Sequence, residues 1–142
     1  MREIKFRGYN KNYGWVYGSL NNCNQNEIII SCFDESLPFN SKIVLTESIG
    51  QFTGLKYKNG NDIYEGDIVS FVTESNCFDG LPKLTVRIGS VYWMEFRSVF
   101  AIQINKFMNQ DLYKFIQYNN VVEVVGNIHE NPELLAVPAA VL

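Results

Sequence analysis

At 142 residues, with 46% apolar and 14% aromatic side chains, the chain suits one folded domain that buries its own core without disulfides. Twelve basic against fifteen acidic residues give a net charge of −3, the wrong sign for a protein whose main work is to coat nucleic acid. Arg2-Glu3-Ile4-Lys5 opens the chain charged and alternating, with no apolar signal region, and no apolar run approaches the length of a bilayer span; a cytoplasmic protein is expected.

Alternation begins at once. Residues Glu3 to Tyr9 place Ile4 and Phe6 on one face and Glu3, Lys5 and Arg7 on the other, the pattern of a half-buried strand with a solvated basic side. Asn10 to Gly14 reads as a turn and Trp15 to Leu20 as the returning strand. The Asn-rich piece Asn21–Asn26 reads as a loop, Glu27 to Phe33 as a buried strand through Ile28-Ile29-Ile30, and Asp34 to Lys42, with Pro38, as a break. Ile43 to Glu47 is a short strand or the approach to the next hairpin.

Gln51–Val69, QFTGLKYKNGNDIYEGDIV, is the most informative stretch. Asn59-Gly60 between Phe52–Tyr57 and Ile63-Tyr64 predicts a tight hairpin, because such a turn needs positive φ that Asn tolerates and Gly adopts freely. Glu65-Gly66-Asp67 predicts a second reversal, feeding the β-branched and aromatic run Ile68–Thr73. Ser75 to Lys83, with Asp79-Gly80 and Pro82, reads as a polar connection. Leu84–Trp93 and Val99–Ile104 predict a hairpin around Met94–Ser98.

Asn105 to Asn120 stays open: Leu112, Phe115 and Ile116 have helical spacing, whereas Tyr113 and Tyr118 suit a strand equally. Val121 to Asn127 is an apolar strand. Asn131-Pro132-Glu133 is a helix start, with Asn as cap, Pro presetting φ and Glu at the positive end. Leu134 and Leu135 would dock that turn, and Ala136–Leu142 is an apolar tail expected to pack on this chain or a neighbour. The elements together predict a single, mainly β domain over residues 1–142. Its form would be a small antiparallel barrel or strongly bent sheet, with SH3-like barrel elements around Glu65–Val69 and a short C-terminal helical turn.

Three segments carry a resemblance: Arg2–Arg7; Thr53-Gly54-Leu55-Lys56 through Asn59-Gly60 to Ile63–Val69; and Val125-Gly126-Asn127-Ile128-His129-Glu130-Asn131-Pro132-Glu133-Leu134-Leu135. In this order and at these ends the chain resembles the YopX family of phage and prophage proteins. The resemblance spans nearly the whole chain, although 21–47 and 75–120 match no motif. It implies a phage or prophage origin, a bacterial host cytoplasm and a shared architecture, and it carries over no activity and no catalytic residue.

The residues give no catalytic set either. Cys23, Cys32 and Cys77 are odd in number and irregularly spaced, and His129 is the only histidine, so neither a disulfide framework nor a zinc site is expected. A nucleophile would have only His129 as a conventional base, and a surface turn accounts for that histidine. Glu65 and Asp67 would share one side of an extended segment, where two carboxylates could divide acid and base roles, but turn chemistry accounts for them better. No cofactor cradle is present. Two functional classes remain. One is a non-enzymatic interaction module that contacts a host or phage protein or associates with itself, drawing on its aromatic content and its apolar tail. The alternative is nucleic-acid binding by Arg2, Lys5, Arg7 and Lys11 beside Tyr9, Tyr13, Trp15 and Tyr17, the basic-plus-aromatic surface used for single strands.

Overall fold

A computed structural model of the chain describes residues 1–24, 27–34, 36, 40–57, 60–119 and 122–142, the side chains of 22–24, 118 and 119 excepted. The chain folds as two compact units, 1–54 and 55–142. Among the described residues no helix is long and apolar enough to cross a membrane.

The first unit is an antiparallel sheet in the order β4-β3-β2-β1-β5. Its strands are β1 (Phe6–Asn10), β2 (Gly14–Asn24), β3 (Glu27–Cys32), β4 (Ser41–Val44) and β5 (Gly50–Lys56), the last running across the unit boundary. Arg7 pairs with Tyr17 and Tyr9 with Trp15, and Phe6 packs on the buried trio Val16, Ile30 and Val44. The expected faces of Glu3–Tyr9 are corrected, because the strand begins only at Phe6, Ile4 is exposed and Arg7 is buried. The expected Asn21–Asn26 loop is corrected: β2 continues to Asn24, because Asn21 and Asn22 keep ladder partners in Ile29 and Ile28. Residues 25 and 26 of that loop, and the expected break at Pro38, lie outside the described residues.

This sheet curls so far that the end of β4 meets β1. A Cβ on Gly8 would fall 2.8 Å from the side chain of Val44, so only glycine permits the approach. The Leu45 N–H donates to the Tyr9 carbonyl at 3.0 Å, the Asn10 Nδ2 to the Ile43 carbonyl at 2.8 Å, and the Tyr9 N–H to Ser48 Oγ at 2.7 Å. These bonds stitch a seam that no strand ladder closes among the described residues. The expectation of a mainly β chain stands; its strands trace open paths in two antiparallel sheets, and no barrel, SH3-like or otherwise, closes among the described residues.

The second unit begins as the last residues of β5 turn back into β6 (Asp62–Tyr64). Gly60 has φ +78°, as the hairpin requires, while Asn59 lies outside the described residues. An antiparallel sheet follows in the order β10-β9-β8-β7-β11. Its strands are β7 (Asp67–Asn76), β8 (Pro82–Met94), β9 (Val99–Asn105), β10 (Met108–Asp111) and β11 (Val122–Asn127). In the open stretch 105–120 the helical alternative holds, with helix α1 at Leu112–Asn119, and strand β10, which the sequence did not announce, precedes it. Asp111 makes the switch, its carboxylate accepting the Lys114 N–H at 3.1 Å as a helix cap does. Leu112 and Phe115 then bury against Val69, Phe71, Val91, Ile102 and Val122, with the Phe71 and Phe115 rings edge to face at 4.8 Å.

The supposed polar connection Ser75–Lys83 is also corrected. β7 and β8 stay paired from Ile68–Ser90 to Asn76–Pro82, whereas β11 accompanies β7 only to Phe71 and β9 accompanies β8 only from Ser90. Beyond those points the pair runs on as a ribbon. Strand β12 (Ala140–Val141) lies on the other edge of β8 at Thr85 and Val86, so the tail pairs with this chain through its backbone while its side chains stay exposed.

Candidate functional site

Of the four basic residues predicted as nucleic-acid contacts, Arg2 and Lys11 are exposed. Lys5 and Arg7 are not the solvated face that alternation suggested. Lys5 Nζ lies 4.5 Å from the centroid of the Phe52 ring and 3.0 Å from Glu3 Oε1. Arg7 is 7% exposed, with its guanidinium 4.8 Å over the Trp15 ring, which in turn meets Tyr9 edge to face at 5.6 Å. Cation–π contact offsets part of the cost of burying this arginine: the ring's negative face replaces part of the water that the charge has lost. Of the four predicted residues only Arg7 lies in a strand, Lys11 sits in the turn that follows it, and Lys5 and Arg7 are held against rings.

Glu65, Asp67 and His129 also come close in the fold. Asn127 pairs with Asp67 in the β11–β7 ladder, and the Ile128 N–H donates to the Gly66 carbonyl at 2.9 Å, so the turn bearing His129 lies beside the turn bearing Glu65. Their roles are mainly those of turn makers. Asp67, 2% exposed, accepts the Tyr64 N–H at 2.8 Å, and Gly66 (φ +87°) donates to the Val91 carbonyl at 2.8 Å. Asn127 Oδ1 accepts the N–H groups of His129 and Glu130 at 3.0 and 2.9 Å, and its Nδ2 donates to Glu130 Oε2 at 2.8 Å. Asn131 does not cap the 3₁₀ turn Pro132–Ala136 with its side chain, as the sequence suggested. It reaches back to accept the Asn127 N–H at 3.3 Å, filling the space that Gly126 leaves open. Burial pushes the Glu65 carboxyl above its ordinary pKa. Among the described residues, no three His, Cys, Asp or Glu side chains gather as metal ligands would.

Two surfaces escaped sequence reasoning. The first is a cleft of about 530 Å³ at the stitched seam of the first unit, lined by Tyr9, Ile43, Val44 and Leu45. Lys11 on the β1–β2 turn and Glu27 and Glu47 on the β3–β4 side also line it. Its signal in the sequence was slight, since Ile43 merely continues an alternating strand. The second is the ribbon tip. Phe78 is fully exposed and Leu81 68% exposed, and farther along Leu84 meets the tail through the Leu142 N–H to the Leu84 carbonyl at 3.0 Å. Here a signal existed. Phe78 stands in a turn sequence, Cys77-Phe78-Asp79-Gly80, where small polar residues are the rule.

The same outline recurs among known proteins. The family model described as YopX protein matches residues 5–136. The crystal structure of protein EF1440 from Enterococcus faecalis is similar to this chain, with 23% identity and a TM-score of 0.53, over 95% of this chain and 99% of that one. At that identity the likeness speaks for the fold. No curated protein matches the chain.

Proposed function

We propose that this chain, which belongs to the YopX family, is a phage- or prophage-encoded accessory protein that acts by binding another protein and not by catalysis. One observation carries the reading: the second unit leaves large apolar side chains uncovered on a ribbon and its flanking edge. Phe78, Leu81 and Leu84 stand there with Val141 and Leu142, all more than 40% exposed. Exposed apolar groups concentrated in one region mark contact surfaces more often than chance placement does. The motif residues Asp67, Asn127 and Asn131, the natural candidates for chemistry, each accept a neighbouring backbone N–H with a side-chain oxygen.

The test is capture of partners from induced host cells on wild type and on Phe78→Ser/Leu81→Ser, with and without nuclease. Nuclease-resistant capture of a protein, lost in the double variant, is the expected result. Capture unaffected by the variant removes the ribbon from the account, and capture abolished by nuclease favours the nucleic-acid alternative through Arg2, Lys5, Arg7 and Lys11. That alternative draws on the exposed Arg2 and Lys11 at the N-terminal hairpin.

A further inference from the structure

We infer that the ribbon tip of one copy docks into the seam cleft of a second copy, so that the protein associates head to tail. The inference rests on the protein-binding reading above and names the partner.

The tip is built to present an apolar group. Its turn is closed by the Gly80 N–H donating to the Cys77 carbonyl at 2.9 Å, and Asp79 Oδ1 accepts the Leu81 N–H at 3.1 Å. The turn is therefore satisfied without Phe78, whose ring contributes nothing to it and stands fully in water. An aromatic group at a turn position favouring small polar residues is best explained by a contact it makes elsewhere.

The cleft offers what that group needs. Its volume, about 530 Å³, lies in the range of sites that enclose a small ligand or a few side chains. Ile43, half exposed at 51%, is an apolar wall without a cover, and the hydrogen bonds of Asn10 and Ser48 hold the walls in place before anything binds.

Charge sets the orientation. The ribbon carries Asp79 beside Phe78 and Lys83 beyond Leu81. The cleft is lined by Lys11 from the β1–β2 turn and by Glu27 and Glu47 from the start of β3 and the turn after β4. Opposite signs therefore face each other at both flanks of an apolar centre when Asp79 lies toward Lys11 and Lys83 toward the glutamates. Because the two surfaces differ, the contact is heterologous: each copy keeps a free tip and a free cleft, and assembly proceeds to a ring or an open chain.

The experiment is sedimentation velocity on the full chain over a concentration series. Wild type is expected to exceed the 16.3 kDa monomer mass as concentration rises. Phe78→Ser (tip disabled) and Ile43→Asp (cleft disabled) are each expected to stay monomeric, with far-UV circular dichroism unchanged. Mixed together, the two variants should form a species of two copies and no larger one, because only one tip and one cleft remain competent. Lys11→Glu is expected to weaken wild-type association about tenfold, and Asp79→Lys to restore it when combined. Monomeric wild type at every concentration, a mixture that fails to pair, or a charge swap without rescue overturns the proposal. If wild type is monomeric while Phe78→Ser/Leu81→Ser still loses capture of another protein, the second copy is excluded and the protein-binding reading survives.

Discussion

Two residues decide more locally than their chemistry suggests. Gly8 is required by proximity, because Val44 occupies the place where its Cβ would stand. Gly8→Ala is expected to cost about 1–3 kcal/mol in urea denaturation, the usual penalty for overpacking a tight contact. An unchanged midpoint would mean that β4 can lift from β1 without loss. Glu65 is half-buried and its carboxyl is pushed above 4.5 by desolvation. A carboxyl with a raised folded pKa favours the native state most below its unfolded value, and that contribution is lost as pH rises through the folded value. Glu65→Gln should therefore gain stability relative to wild type on going from about pH 3 to about pH 7. A difference that stays flat across that range would show that burial does not govern this group.

At the scale of elements, the passage from β10 into α1 turns on a single cap. Asp111→Ala removes the acceptor of the Lys114 N–H and is expected to cost about 1 kcal/mol, seen as faster hydrogen exchange confined to residues 112–119. Exchange unchanged in that helix would assign its stability wholly to Leu112 and Phe115. The same element shows why reading ran out there. Helical spacing of Leu112, Phe115 and Ile116 was visible, but the strand before the helix is polar and exposed, so no periodicity announced β10. The glycine turns at 60 and 66 and the pairing of β1 with β2 were legible because backbone sterics fix the turns locally. The curl that lays β4 over β1 was not, since it depends on one absent Cβ and on bonds from Tyr9 and Asn10 to residues as far as 39 positions along the chain.

For the whole molecule, composition was informative about class and silent about sites. Strand dominance followed from aromatic and β-branched content, and the motifs placed the chain in its family. The candidate surfaces lay elsewhere. The basic hairpin looked solvated because alternation cannot reveal that Arg7 lies under Trp15, and the cleft joins residues from 9 to 47 that only folding assembles. Net charge supports one further expectation. With 15 acidic against 12 basic residues, retention on single-stranded DNA should vanish by roughly 0.1–0.2 M salt. Retention that persists there and falls on Lys11→Glu would return nucleic acid to the first place.

The tip of the β7–β8 ribbon, beyond the reach of the tail strand, also makes the chain easy to cut without being easy to destroy. Chymotrypsin should cleave after Phe78, yet the two fragments stay joined, because β7 remains bonded to β11 and to β8, and β8 to β9. The same site would accept a foreign peptide or a split into two separately expressed halves.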